Sequence, residues 1–154
     1  MNKNSNIALF NEKKATYSIR LQLNQKVFYR YCVVPVEIEQ QQIVFYLANS
    51  LHTTVEAVEF ISRNEDVFVI SNLVDKRQEI NNGFIDSYWI DTVEYVLEVQ
   101  KQENIQTYHL VVGMDTEEQF LEETVRKYFY KEYISLESFR DTWMMRDESF
   151  IRME

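Results

Sequence analysis

The chain has 154 residues with a net charge of −9, and 45% of its residues are apolar and 14% aromatic. This length and composition predict one globular domain with its own core and exclude a disordered chain. Residues 1–35 carry six cations and one acid, whereas residues 36–154 carry ten cations and 24 acids. A nucleic-acid backbone requires a clustered basic face, so we do not expect direct binding to nucleic acid.

Three residue types are too scarce for the common catalytic and metal-binding motifs. Cys32 is the only cysteine, which excludes a disulfide and a paired-cysteine metal site within the chain. His52 and His109 are the only histidines and have no metal-ligand spacing, and we expect His109 to be partly exposed or hydrogen-bonded. Gly83 and Gly113, the only glycines, cannot form a dinucleotide fingerprint or a P-loop. We therefore predict a non-enzymatic protein without catalytic residues, metal ligands or a cofactor.

The ends of the sequence show no targeting pattern. Residues 1–15 are mostly polar and indicate a loose N-terminal arm, a single domain is expected over residues 16–145, and residues 146–154 form a tail that frays. The N-terminus lacks the charged-then-apolar pattern of a signal peptide, and no apolar run approaches the roughly 18 residues of a membrane span. We expect a cytoplasmic protein without membrane contact.

The domain begins with a predicted strand hairpin. Apolar and polar residues alternate over residues 17–23, as in a strand that is buried on one face. Asn24 and Gln25 suit a tight turn because Asn tolerates positive φ. Residues 27–34 return as a second strand with apolar side chains on both faces, which indicates a central position in the sheet.

Two helices are predicted in the middle of the chain. The first follows Pro35, and the second, over residues 53–62, opens with a capping-box pattern. They could form a helix-turn-helix, but Glu56 and Glu59 stand where basic or amide side chains reach base edges, which favours a helical hairpin packed on the sheet. The apolar stripes that predict these helices are Ile38, Ile43, Leu47 and Leu51 in the first, and Val55, Val58 and Ile61 in the second.

A short strand and a long loop follow. Residues 66–70 are apolar enough for a third strand, and residues 71–89 then lose all periodicity. Loops of that length are uncommon and often functional. A small-molecule enzyme with a carboxylate site near the 71–89 loop is therefore one alternative for the function.

A second hairpin is the clearest pattern in the sequence. Apolar residues occupy every second position over residues 92–100, with Thr92, Glu94, Glu98 and Gln100 on the other face, which we expect to be solvated. The polar link 101–104 is short enough for a hairpin, and residues 105–113 repeat the alternation.

The C-terminal part predicts two further helices. Asp115 is the expected cap of the first, whose buried stripe is Leu121, Val125 and Tyr128, with Thr124 beside it. Ser135 is the expected cap of the last, with Leu136, Phe139 and Trp143 on one side. The fold class is then α+β: a single domain with a mostly antiparallel sheet of about five strands and about four helices, in the order β-β-α-α-β-loop-β-β-α-α.

The segment from residue 17 to residue 51 resembles the start of a plasmid- and transposon-passenger family of unassigned activity. The shared pattern is an alternating strand, an aromatic–Arg pair, a Val-Pro strand end and a helix. The resemblance implies an α+β fold and a mobile-element setting, and it supplies no catalytic residues. The matching residues are Tyr17, Ile19, Leu21, Tyr29, Arg30, Val34, Pro35, Ile43, Leu47 and Leu51.

Aromatic and methionine side chains are the main functional signal. Exposed Tyr, Trp, Met and Arg are typical of protein–protein interface cores. We therefore predict a binding or regulatory module that acts through a protein partner or as a homo-oligomer; an acidic inhibitor that imitates nucleic acid is a second alternative. The candidate interaction surface consists of Tyr88, Trp89, Tyr130, Trp143, Met144 and Met145.

Overall fold

The structure, a computed structural model, describes residues 9–74 and 89–146. Within these ranges six strands form one closed mixed sheet, with the hydrogen-bonded order β1-β2-β6-β4-β5-β3. The elements are β1 (Lys13–Leu23), β2 (Lys26–Val34), α1 (Gln40–Ser50), β3 (Val58–Val69), β4 (Trp89–Lys101), β5 (Asn104–Gly113), α2 (Glu118–Phe129) and β6 (Tyr133–Met145).

The predicted count of about five strands and four helices is wrong, because two of the predicted helices are strands. The second helix is a short 3-10 turn, Val55–Ala57, that leads into β3. This also removes the helix-turn-helix. The segment predicted as the last helix is strand β6, in which Leu136, Thr142 and Met144 are buried at even spacing and Met145, at the end of the strand, is buried as well. In both segments β-branched and aromatic residues fell at helical spacing by coincidence, while their side-chain shapes suit a pleated strand.

Both predicted hairpins are confirmed. In the first, Leu23 pairs with Lys26, and the two turn residues Asn24 and Gln25 have φ of 51° and 68°. Two consecutive positive φ values match the right-handed twist of the flanking strands. In the second, antiparallel register runs from Lys101 opposite Asn104 to Thr92 opposite Gly113.

The sheet also contains parallel pairs that the prediction of a mostly antiparallel sheet did not include. In one, β2 pairs with β6 through Cys32 opposite Trp143 and Val33 opposite Met144. In the other, three consecutive residues of β3, Val67–Val69, pair with β5. Distant parts of the sequence therefore meet as neighbouring strands.

Both helices begin or pack differently at their ends from the predicted pattern. Helix α1 buries Ile43 and Leu47 as predicted, but it spans Gln40–Ser50, so Ile38 and Leu51 of the predicted stripe lie outside it. Helix α2 buries Leu121, Thr124 and Val125, but its N-cap is Glu117 rather than Asp115, and Tyr128 is exposed rather than buried. Glu122 and Arg126, one turn apart on α2, form an ion pair with Arg126 Nε and Glu122 Oε1 2.9 Å apart.

The described residues divide into two compact units, each with its own core. The α1 unit contains residues 14–65, 89–91 and 142–146, and the α2 unit contains residues 9–13, 66–74 and 92–141. In the α1 unit the Tyr17 hydroxyl donates a buried hydrogen bond of 2.7 Å to the Ile38 carbonyl, which ties β1 to the segment before α1. Its core includes Tyr17, Ile19, Leu21, Ile43 and Leu47.

The core of the α2 unit is one face of the second hairpin covered by α2. It includes Tyr95, Leu97, Val99, Leu110, Val112, Leu121 and Val125.

Neither helix in the described ranges has the length and hydropathy that a membrane-spanning helix needs.

Candidate functional site

The predicted interaction surface is largely buried in the described part of the chain. Trp89, Met144 and Met145 are buried in the α1 unit, where Trp143 is partly buried and packs against the same core. Tyr130 is the exception, because 76% of its side chain is exposed. Tyr88, which the prediction also included, lies outside the described residues, as do residues 75–88 of the predicted functional loop.

Trp89 and Trp143 pack inside the α1 unit. Their ring centroids are 6.2 Å apart, and the Arg30 guanidinium lies 5.1 Å from the Trp143 ring. The buried Nε1 of Trp89 has no hydrogen-bond partner among residues 9–74 and 89–146. Buried Trp usually satisfies this donor, so burial here costs free energy.

An aromatic surface stands at the C-terminal end of α2 in the α2 unit. We call Tyr128 and Tyr130, with the rings and lysines around them, the α2 aromatic surface. Both tyrosines are exposed, and Phe129 between them is buried in the core. Phe10 packs beneath, with its ring centroid 5.6 Å from that of Tyr128 and 5.8 Å from that of Phe129. The exposed Tyr128 ring therefore rests on an apolar base formed by Phe10 and Phe129.

Two lysines border these rings. Lys101 Nζ lies 5.6 Å from the Tyr108 ring centroid and 5.8 Å from that of Phe129, and a hydrogen bond with Tyr108 raises the pKa of the Lys101 ammonium. Lys131 Nζ lies 5.9 Å from the Tyr130 ring centroid. Ammonium groups within about 6 Å of aromatic rings are attracted by the ring quadrupole. The surface therefore combines exposed aromatic area with positive charge.

The backbone at Tyr130 is in a conformation that normally requires glycine. Tyr130 ends α2 with φ 54° and ψ −109°, and its N–H donates to the Arg126 carbonyl. Positive φ at a bulky residue crowds Cβ against the backbone and costs of order 1–3 kcal/mol. Gly and Asn are the usual residues at such helix ends. Tyr130 therefore combines an unfavourable backbone with an exposed side chain.

A second arrangement, in the same unit, is built around a buried acid. The Glu94 carboxylate is fully buried and accepts hydrogen bonds from His109 Nδ1 to Oε2 at 2.7 Å and from Arg140 Nε to Oε1 at 3.1 Å. We call these three residues the Glu94 cluster. Taking a carboxylate out of water is costly unless it is paired and hydrogen-bonded, and both oxygens of Glu94 are.

The strand order brings the three members of the cluster together. Strand β4 lies between β6 and β5 in the sheet, so Arg140 on β6 and His109 on β5 flank Glu94 on β4. Val111 lies opposite Glu94 and Val96 opposite His109, which makes Glu94 and His109 diagonal neighbours on one face. Diagonal pairs in antiparallel sheets are within reach of long side chains.

Phe139 borders the cluster next to Arg140 in the sequence. Its ring centroid is 5.9 Å from the His109 ring and 4.7 Å from Arg140 Cζ, and about half of the Phe139 side chain is exposed. The side chains of His109 and Arg140 are 23% and 20% exposed. Solvent therefore reaches the outer edge of the cluster but not Glu94 itself.

Sequence reasoning found His109 as a hydrogen-bonded side chain but missed its partner. Glu94 was expected on a solvated face, and that expectation is wrong because Thr92 and Glu94 are both fully buried. The available signal was the two-residue turn at positions 102 and 103, which fixes the register and places Glu94 diagonal to His109. Arg140 had no such signal, because its segment was predicted to be helical.

Metal ligation and nucleophilic chemistry have little support within the described ranges. No group of three or more His, Cys, Asp or Glu side chains there is arranged to hold a metal ion. Cys32 is buried, and burial raises the pKa of its thiol, so the nucleophilic thiolate is suppressed.

No protein-family model, curated protein or solved structure matches the chain. The resemblance of residues 17–51 to a mobile-element family therefore stays an expectation from the sequence.

Proposed function

We propose that the protein is a binding module that recognises a protein partner through the α2 aromatic surface. The observation that carries this proposal is Tyr130, whose side chain is 76% exposed on a backbone of φ 54°. Glycine at this position would relieve the backbone without the loss of any core packing by the ring. A residue that costs stability and fills no core space is explained by a role outside the fold.

The neighbours of Tyr130 suit a protein interface. Tyrosine offers a large contact area at a small cost in side-chain entropy, and it is enriched among residues that dominate binding energy. Tyr128 adds a second exposed ring that rests on Phe10 and Phe129. Because those contacts hold the ring before a partner arrives, less ordering free energy opposes binding.

The positive groups beside the rings indicate what such a partner would offer. Lys101 and Lys131 border the surface, while the chain as a whole carries −9. A partner that places aromatic or methionine side chains over Tyr128 and Tyr130, with acids opposite the lysines, would complement this surface.

Site-specific photo-crosslinking tests the proposal in the cell of origin or in its lysate. A photoreactive phenylalanine analogue replaces Tyr130 in one variant and Phe45 in another, because Phe45 is an exposed aromatic residue (55%) in the other unit. We expect a discrete protein adduct from position 130 and none of the same mass from position 45. The same adducts from both positions, or none from position 130, would contradict the proposal.

A second comparison separates side-chain contact from a change in folding. Tyr130→Phe keeps the ring and should retain binding of the captured partner, whereas Tyr130→Ala should weaken it at least tenfold, a loss of about 1.4 kcal/mol or more. Far-UV circular dichroism of both variants checks that the fold is retained.

A further inference from the structure

Strand β2 has a neighbouring strand along the whole of one edge and along only a short part of the other. Its first edge pairs with β1 from Lys26 to Val34. Its second edge pairs with β6 at Cys32 and Val33. No strand in the described part of the chain pairs with this second edge between Lys26 and Arg30. We call that segment the outer edge of β2.

The hairpin register shows which backbone groups the outer edge presents. A two-residue turn is flanked by a hydrogen-bonded pair, here Leu23 and Lys26, and every second pair along β1 and β2 then exchanges hydrogen bonds. The N–H and C=O groups of Val27 and Tyr29 therefore point away from β1. The Arg30 guanidinium donates from Nη1 to the Tyr29 carbonyl at 2.8 Å, where the N–H of an added strand would also donate. The outer edge can thus form the hydrogen bonds of a further strand.

The side chains of this segment separate into a positive face and an apolar face. Successive side chains of a strand point to opposite faces, so Lys26, Phe28 and Arg30 share one face. The Arg30 guanidinium carbon lies 5.6 Å from the Phe28 ring centroid on that face. On the other face Val27 and Tyr29 are exposed to 43% and 52%.

The cations of the outer edge have no acidic partner among residues 9–74 and 89–146. Residues 13–34 carry five cations and no acid, although the whole chain has a net charge of −9. Lys13 and Arg20 form ion pairs with acids of β3, and Lys14 has an interaction of its own. Arg30 contacts the Tyr29 carbonyl and aromatic rings, and no carboxylate in those ranges forms an ion pair with Arg30 or Lys26.

The same cations disfavour a second copy of this chain on the outer edge. Two copies of β2 in an antiparallel pair would place Lys26 of each opposite Arg30 of the other, and like charges directly opposite each other are destabilising. Lysine on an edge strand commonly prevents such self-pairing. A segment with acids at those positions would instead be attracted.

From this geometry we propose that the outer edge of β2 binds an extended acidic segment of a partner protein, which joins the sheet as an added strand. Acids at every second position of the segment pair with Lys26 and Arg30, and the apolar side chains between them pack on Val27 and Tyr29. A backbone N–H of the segment replaces the Arg30 guanidinium at the Tyr29 carbonyl, and the released guanidinium pairs with an acid. This interface belongs to the α1 unit and uses no residue of the α2 aromatic surface.

A synthetic peptide of alternating Glu and Val residues is the probe, and one of alternating Lys and Val residues is its control. Backbone hydrogen exchange of the full chain, followed by NMR at neutral pH, measures binding. We expect the Glu–Val peptide to slow exchange at Val27 and Tyr29 by roughly tenfold or more, and the Lys–Val peptide to have little effect. Ile105 and Thr107 are the internal control, because they lie on β5 beyond its pairing with β3 and without a neighbouring cation on that segment.

Three results of this measurement would overturn the proposal. The first is no slowing by the Glu–Val peptide, and the second is equal slowing by both peptides or at both strands. The third is slow exchange at Val27 and Tyr29 before any peptide is added. Light scattering would then show whether a second copy covers the edge, as a dimer, or the chain itself does, as a monomer.

Variants at two positions separate backbone pairing from charge. Val27→Pro removes an N–H that points away from β1, so it should weaken the Glu–Val peptide about tenfold in fluorescence polarisation, whereas Val27→Ala keeps the N–H and should weaken it less. Lys26→Glu should also weaken this peptide, through like-charge repulsion. Far-UV circular dichroism checks the fold, and if Val27→Pro does not fold, Lys26→Glu decides, because Lys26 is exposed. Unchanged affinity in the folded variants would show that the assignment is wrong.

Discussion

The Glu94 carboxylate, fully buried, is held by His109 on one oxygen at 2.7 Å and by Arg140 on the other at 3.1 Å. Removal of a buried charge leaves its former partners uncompensated, which typically costs about 3–5 kcal/mol. We expect Glu94→Gln to lower the free energy of unfolding by an amount in that range, measured by urea denaturation at pH 7. Glu98→Gln, on the same face of β4 but partly exposed, is the control and should change stability less than Glu94→Gln does. Equal effects would mean that the buried pairing does not stabilise the fold.

Replacement by glycine should change the free energy of unfolding in opposite directions at Tyr130 and Tyr128. Tyr130→Gly relieves a backbone of φ 54° and should raise the free energy of unfolding by about 1 kcal/mol. Tyr128→Gly places glycine within α2 and should lower it by about 1 kcal/mol. Thermal unfolding of both variants measures the difference. A loss of stability in Tyr130→Gly would show that the tyrosine stabilises the fold and would weaken the case for a binding role.

Gly113 is required by a close approach of backbone. A Cβ at this position would lie 2.7 Å from the Leu73 carbonyl oxygen, and a main-chain atom cannot turn aside as a side chain can. We expect Gly113→Ala to destabilise the protein by roughly 1–3 kcal/mol, as overpacking typically does. Met114→Ala, an exposed neighbour, is the control. Chemical denaturation measures the free energy of unfolding of both variants. An equal loss of stability in Gly113→Ala and Met114→Ala would contradict the prediction.

Cys32 gives the protein a defined alkaline sensitivity. Burial raises the pKa of its thiol in the folded state, whereas an unfolded thiol has a pKa of about 8.5. The folded state therefore keeps the proton longer, so this contribution to stability is present below about pH 8.5 and is lost as the pH rises further. Relative to Cys32→Ala, the unaltered protein should lose about 1.4 kcal/mol per pH unit above about pH 9.

Urea denaturation at pH 7, 9 and 10 measures that difference. Burial also raises the pKa of Tyr17 and Tyr95, but both proteins share these groups, so their effect cancels in the comparison. Parallel pH profiles of the two proteins would contradict the prediction.

The two hairpins could be predicted from sequence because alternation and turn residues are local signals. Asn24 and Gln25 adopt the positive φ that a two-residue turn needs, and the β4–β5 register follows from its own short turn. Strand β6 could not be predicted in this way. Its apolar residues matched a helical stripe, and the strand is selected by pairing with distant partners such as β2. The Glu94 cluster was therefore predictable only in part. The position of Glu94 relative to His109 follows from the β4–β5 hairpin, whereas Arg140 lies on β6, which the sequence did not predict as a strand.

The short parallel pairing of β2 with β6 has a consequence for how the protein is made. Cys32 and Val33 leave the ribosome long before Trp143 and Met144, the residues they pair with. Until β6 has been synthesised, the edge of β2 that pairs with it has no partner strand. The loop between Cys32 and Trp143 is long, and pairing strands across so long a loop is slow. The nascent chain is therefore most open to aggregation or chaperone capture just before its last strand arrives.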